Sequence, residues 1–593
     1  MPTPTSRRRV ISLPLDGEGF CLRGLSPGRL RFEVEYGLER GTSANAFFFP
    51  GPSPLLVHPP GASFAEPFLA ALAQHCDSST PLRVVVSHVN PNRVALLRRL
   101  AASHPQLSLV ATNAGRRLLQ ELWETGTSGQ AEQAAPHSPL PAIDVVRSER
   151  RLPLGSGSCR LLPLPTPRWP DGLVCFDEAT GLLMSGKFFA AHVCSEALGE
   201  STRQQLDEDR RYYYDCLMAP MASQVETAVD RLEELPIRAI APGHGPAILE
   251  SWRSLISDYR RWGEGPARSS LTVALLFASA YGNTAAIANG LAQGVAKAGV
   301  RINSVNCEFC SAEELLTAIQ RSDALLIGSP TLGGHAPTQI VSALGTLLAE
   351  GDRNKPVGVF GSFGWSGEAI DLLAGKLRDG GFRFAFEPIR VRFSPDAATI
   401  KTCEEIGTDL AQDLKQQQRK EKRAAGGLSG SRSNPAVLAL GRVTGSICIL
   451  TSRKGSGEAA LSGAMVASWV SQASFNPPGL SVAVARDRAV EQLLHVGDRF
   501  ALNILASGRE AGPMKHFLQP FPPGADRFAG MACSASPAGQ PLINDALAWL
   551  EVQVEQRMEC GDHWIIYGTV QQGGLLDEQG LTAVRQRHSG ASY

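Results

Sequence analysis

Short apolar runs, many of them β-branched, alternate with helical patterns over the first 265 residues, and several of the runs end in polar residues. Val84-Val85-Val86 leads into Ser87-His88-Val89-Asn90-Pro91-Asn92-Arg93. That is the pattern of a buried strand delivering side chains to a site at its C-terminal end. Leu173 to Asp177 reads as another strand, preceded by the loop Thr166-Pro167-Arg168-Trp169-Pro170-Asp171. Gly181 to Met184 opens into Ser185-Gly186-Lys187-Phe188-Phe189, and Ile237 to Ala241 runs into Pro242-Gly243-His244-Gly245. Strand ends far apart in the chain, each offering a polar group, predict a site built over the open end of a sheet.

Gly263-Glu264-Gly265-Pro266 punctuates the chain, and a new unit follows. Leu271 to Phe277 is a buried strand, Ser279-Ala280-Tyr281-Gly282-Asn283-Thr284 a loop of mostly small residues, and Ala285 to Gly299 a helix. Small residues let the backbone approach a phosphate, and the following helix start offers its N–H groups. Strand–helix alternation continues through Ala324 to Pro330 and Val357 to Ser362, which predicts a doubly wound parallel sheet with its ligand at the strand C-ends. Residues 413–434, basic and then rich in Gly and Ser, read as a linker. Beyond it come short β runs, including Gly445 to Leu450, Leu480 to Ala485, Phe500 to Leu505 and Trp564 to Val570, the spacing of a small β-barrel. The expected domains are 1–265, 269–412 and 435–593, joined by the linker 413–434. A chain of 593 residues is too long for one core.

Composition narrows the function classes. Lys+Arg and Asp+Glu balance at 57 each, so no global charge argues for nucleic acid or a membrane surface. No apolar run has the length of a membrane span, and Val10 to Leu15 after Arg7-Arg8-Arg9 is too short for a signal-peptide core. A cytoplasmic protein is expected. The 12 cysteines are scattered, which argues against a disulfide scaffold. Cys307-Glu308-Phe309-Cys310 is the single C-x-x-C, read either as two half-buried thiols beside a strand or as a redox pair.

Three resemblances follow. The middle unit resembles flavodoxin, carried by Ser279 to Thr284, by Ser329-Pro330-Thr331-Leu332-Gly333-Gly334, and by Gly361-Ser362-Phe363-Gly364-Trp365-Ser366-Gly367. The resemblance implies FMN, with Trp365 against the ring. The C-terminal unit resembles the flavin reductases that bind flavin in a split barrel. The carrying stretch is Ala464 to Pro478, with Ser471, Gln472, Ala473 and Ser474 at its centre, and Gly561-Asp562-His563-Trp564 fits a later strand. That implies FMN or FAD, reduced by NAD(P)H, with His563 near the flavin. The N-terminal unit resembles the metallo-β-lactamase-like αββα sandwich of flavodiiron proteins, and the order of the three units resembles the three-module flavodiiron proteins of cyanobacteria.

The last resemblance implies seven iron-ligand positions. They fall here on His88, Asn90, Asn92, Arg93, Arg168, Lys187 and His244, so two histidines survive and all three carboxylates are gone. Iron in an N/O site wants imidazole and carboxylate, while Arg and protonated Lys offer no lone pair. The expectation is therefore no metal, with the cations compensated by Asp171, Asp177 or an anion. His192 reads as a packing or supporting histidine, and His58 and His104 carry no signal. The function implied is an electron-transfer subunit for NAD(P)H- or ferredoxin-linked reduction of O₂ to water in photoprotection. Its partner would be a homologous subunit with intact iron ligands, paired head to tail. The alternatives are a stand-alone NAD(P)H:flavin oxidoreductase and an anion-sensing regulatory subunit.

Overall fold

The computed structural model describes residues 8–27, 41–125, 138–200, 203–267, 269–280, 282–424, 435–455 and 460–585. They fall into two compact units, Met1–Arg268 with Asn303–Leu315, and Ser269–Ile302 with Leu316–Tyr593.

The first unit is built on two sheets. One has seven strands in chain order, Arg9–Pro14, Phe20–Ser26, Thr42–Phe49, Leu55–Val57, Arg83–Val85, Ser108–Thr112 and Ala142–Val146. The other has five, ordered Ala239–Pro242, Leu182–Gly186, Leu173–Asp177, Gly157–Pro163 and Arg150–Leu154. Neighbouring residues of a strand point to opposite faces, and both faces of the first sheet are buried. Cys21, Phe47 and Val85 join Cys159, Cys175 and Met184 in the core between the sheets. Leu22, Phe48, Val84 and Val86 pack the other way, with residues of the helices Ala65–Leu72 and Pro91–Ser103. The expected αββα sandwich is what forms. The helix Pro91–Ser103 starts where the sequence says it must: Asn90 caps it by accepting the Arg93 N–H at 2.8 Å, and Pro91 stands at the first position.

The second unit opens with a five-stranded sheet ordered Arg301–Asn306, Thr272–Phe277, Ala324–Pro330, Val357–Phe363 and Ile389–Arg392. The last four of these strands pair in parallel, the doubly wound order expected from strand–helix alternation. A seven-stranded sheet follows, ordered Leu461–Ala467, Cys448–Lys454, Arg499–Leu505, Ala546–Cys560, His563–Leu575, Pro478–Ala485 and Val470–Phe475. Its two edge strands are consecutive in the chain, linked only by Ser468 and Trp469. Two residues span a few ångströms, so the sheet must curl until its edges nearly meet.

One expectation needs correction. Residues 413–424 are not linker but the last part of a helix, Ala397–Ala424. Gln, Lys, Glu, Arg and Ala are good helix formers, and a polar run reads as linker only if nothing anchors it. Here Ala397–Asp413 is anchored against the helix Asn283–Lys297. A Cβ on Gly294 would lie 1.9 Å from the Glu404 carbonyl oxygen, and one on Gly407 2.1 Å from that of Leu291. The rest of the expected linker, 425–434, lies outside the described residues.

Candidate functional site

The strand ends of the first unit do converge. His88, Asn90, Arg93, Lys187 and His244 line one cavity of about 30 Å³, together with His58, Ser87 and Asn45. That is room for a water or two, or one small ion. The Arg93 side chain is tied to two loops, its Nε donating to the Pro59 carbonyl at 2.7 Å and its Nη1 to the His88 carbonyl. His244 Nδ1 lies 2.9 Å from the Ser43 carbonyl, so it donates there. His58 uses both ring nitrogens, on Ser87 Oγ and on the Met184 carbonyl.

Charge follows the substitutions. Burial pushes His58 down to about 3, against its bond to Met184, with Arg93 and Lys187 adding to the push. His88 is also lowered, first by burial and then by Lys187 and Arg93, while Asp171 pulls the other way. Both rings stay neutral at pH 7. Asp171 faces the pocket's His88: it is 1% exposed, its Oδ2 accepts the Val89 N–H at 2.6 Å, and its Oδ1 lies 3.4 Å from His88 Nδ1. Asp177 does not. Its carboxylate accepts the Ala179 N–H and the Thr180 hydroxyl in a tight turn, because an Asp at a hairpin corner bonds its own backbone first.

Arg168 also departs from expectation, since it does not line the cavity. It lies over the Trp169 ring at 5.4 Å, and Lys187 approaches the same ring at 5.6 Å. Asn92 is likewise outside the cavity lining, and the Asn90 side chain is engaged as a helix cap. Among the described residues no group of three or more His, Cys, Asp or Glu could hold a metal ion. The donor set therefore does not fit a diiron centre, which needs carboxylates to bridge and neutralise two cations. Sequence reading passed over His58, because a histidine before Pro59-Pro60 has no motif and only the fold brings it here.

The loops of the doubly wound sheet fit a phosphate and a flat ring. Gly282 (φ +81°) turns the chain into the helix Asn283–Lys297, and Ser279 Oγ accepts the Ala285 N–H at 3.0 Å. Thr284 is buried, its hydroxyl 2.8 Å from that of Ser362, so the first and third loops are joined. Gly333 and Gly334 both have positive φ and nothing within 4 Å of a built Cβ, so the second loop faces open space. Thr331 Oγ1 beside them is buried with no hydrogen-bond partner among the described residues, a polar atom awaiting a ligand. Trp365 is 89% exposed. Its ring meets Phe393 edge-on at 6.3 Å, and Phe393 itself has φ +60°. A bulky residue in that region is strained, and strain beside an exposed indole marks a site. Phe393 was missed in the sequence because its signal is a backbone angle. Tyr281 lies outside the described residues.

In the last sheet, Ser471, Gln472 and Ala473 are exposed on the edge strand Val470–Phe475, and the pairing slips between Gln472 and Ser474. The His563 ring lies 5.0 Å from that of Trp469, tilted 39° to it, and bonds Asp562 at 2.7 Å. Hydroxyls and amides held out on an edge strand suit a flavin's polar rim. None of these residues lines a cavity of about 500 Å³ in the same unit, whose walls include Lys297, Glu404, Arg486, Arg488, Phe517 and Phe521.

A β-lactamase-like sandwich, a flavodoxin-like sheet and a curled flavin-reductase sheet define a multidomain flavoprotein. The matching family models are the ODP family beta lactamase over residues 45–245, flavodoxin over 275–407 and the flavin reductase like domain over 440–590. The chain belongs to the three-domain diflavin flavoproteins. It is 45% identical to diflavin flavoprotein A 6 of Nostoc sp. over 99% of this chain and 100% of that one. It is 36% identical to diflavin flavoprotein A 1 of Synechocystis sp. over 97% and 96%. The metal-soaked Flv1 flavodiiron core from Synechocystis sp. covers 69% of this chain and 99% of its own, at 41% identity and a TM-score of 0.65. Among the described residues, no helix is long and apolar enough to cross a membrane.

Proposed function

We propose that this chain is the electron-delivering subunit of an oxygen-reducing flavodiiron assembly and that its own N-terminal pocket holds no iron. Electrons from NAD(P)H or reduced ferredoxin would enter at the flavin of the reductase domain and pass to the FMN of the flavodoxin-like domain. They would then reach the diiron site of a homologous partner subunit, head to tail with this one. Reduction of O₂ to water there would make the assembly a cytoplasmic sink for excess photosynthetic electrons. The observation that carries the reading is the pair Arg93 and Lys187 lining the cavity with no carboxylate among its lining residues. Two fixed cations occupy the space and charge that two metal ions would otherwise take.

Flavin, when bound, supplies the one- and two-electron chemistry. The residues here would bind and orient it: Ser279 and the start of the helix Asn283–Lys297 would hold the phosphate, and Gly333-Gly334 would leave room for the ring. Trp365 would pack on the ring, and Ser471, Gln472 and Ser474 would bond the second flavin. The test is O₂ uptake by this chain, by a partner with intact ligands, and by the mixture, with iron measured in each. Rates well above the sum in the mixture, with iron only in the partner, are expected. Stoichiometric iron and full activity in this chain alone would overturn it.

A further inference from the structure

We propose that Cys307 and Cys310 form a redox-active dithiol that exchanges with an external disulfide. Asn306 builds the turn that holds them. Its carbonyl accepts the N–H groups of Phe309 and Cys310, both at 3.1 Å, and its side-chain oxygen accepts that of Glu308 at 3.1 Å. The chain from Cys307 to Cys310 is wound into one tight turn, and the Cys307 thiol hydrogen-bonds Cys310. A helix begins directly afterwards at Ala312. Ser311 caps it reciprocally, its Oγ accepting the Glu314 N–H at 3.2 Å while Glu314 Oε2 accepts the Ser311 N–H at 2.8 Å. Cys310 thus sits at the positive end of a ten-residue helix.

The two thiols differ in the way an attacking and a resolving group must. Cys310 is half-buried and Cys307 buried. The bond from Cys307 holds the Cys310 thiol down to about 7, against burial and Glu314. Burial drives Cys21, Cys175, Cys403 and Cys448 the other way, so they are inert packing thiols. The turn is also in touch with the N-terminal pocket loop: Asn306 Nδ2 donates to the Pro167 carbonyl at 3.3 Å, two residues before Trp169.

The Cys310 thiolate attacks one sulfur of the external disulfide, forming a mixed disulfide and expelling the other sulfur as a thiolate. Cys307 then loses its proton and attacks Cys310 Sγ, closing the Cys307–Cys310 bond and releasing the second thiol. Two electrons and two protons leave the pair and convert one external disulfide to two thiols.

The test uses the flavin-loaded full chain after reduction. At pH 7, Cys310 should react with iodoacetamide roughly tenfold faster than the exposed Cys560, from its larger thiolate fraction. Glutathione disulfide and a disulfide-bonded C-x-x-C protein are then offered separately, and peptide masses are read. A Cys307–Cys310 disulfide formed by either supports the proposal and identifies the source as small molecule or protein. Its formation by neither, or equal alkylation of Cys310 and Cys560, overturns it. Cys307→Ser, checked for flavin content and circular dichroism, should accumulate the mixed disulfide on Cys310. If Cys310→Ser accumulates it on Cys307 instead, the roles assigned here are wrong.

Discussion

At the scale of single residues, Asp171 and His58 are the buried titratable groups whose bonds hold the N-terminal pocket together. Asp171→Ala leaves the buried Val89 N–H without its acceptor and should cost about 1–3 kcal/mol, read as a lowered urea midpoint with unchanged slope. His58 makes a pH prediction with a definite sign. Its folded pKa is about 3 against 6.5 unfolded, so below pH 6.5 the unfolded chain binds a proton that the folded chain refuses. Stability should therefore fall as pH drops from 6.5 towards 3, by up to about 1.4 kcal/mol per pH unit. His58→Asn should flatten that slope in denaturation curves taken across this range, and an unchanged slope would show that another group carries it. The sequence made these pocket positions legible because His88-Val89-Asn90-Pro91-Asn92-Arg93 ends a buried strand in a cluster of polar residues. It could not rank Asp171 above Asp177, since both follow loops and only the sheet shows which one faces His88.

At the scale of elements, loops and one helix carry the lesson. The three flavodoxin-like loops could be read from residue type, because Gly, Ser and Thr at strand ends have few other uses. Phe393 could not, because its role rests on a backbone angle and on its contact with Trp365. Trp365→Ala should weaken FMN binding to this domain about tenfold, roughly the 1.5 kcal/mol of a lost aromatic contact, measured by flavin fluorescence on dilution. The helix Ala397–Ala424 was hidden for a different reason: its C-terminal part is polar, and the packing of the part before it depends on glycines in another helix. Gly294→Val should be severe, since even a Cβ there meets the Glu404 carbonyl at 1.9 Å. The two helices would have to separate, and loss of well over 2 kcal/mol or failure to fold is expected, with Gly345→Ala as a benign control because nothing lies within 4 Å of its Cβ.

At the scale of the molecule, the flavodoxin-like and reductase domains are joined by more than a tether. Lys297 Nζ lies 2.6 Å from Glu404 and 2.7 Å from Glu491. Arg557 also pairs with Glu491, lies 2.6 Å from His495 Nδ1 and covers Trp564 at 4.4 Å. Lys297 and Glu404 belong to the first of these domains, Glu491 and Arg557 to the second, and the two positive and two negative charges balance. A buried network of this kind adds little net stability over an apolar contact, but removing one member strands the others. Lys297→Met leaves Glu404 facing Glu491 with no cation between them, whereas Glu491 keeps Arg557. The orphan is therefore Glu404, and Lys297→Met should cost about 3–5 kcal/mol of docking, most of it restored by adding Glu404→Gln. A protease site inserted within 425–434 gives the measurement. After cleavage the unmutated halves should stay together in sedimentation at moderate salt, the single variant should separate, and the double variant should re-associate. If the unmutated halves part as soon as they are cut, the buried network does not hold the domains together.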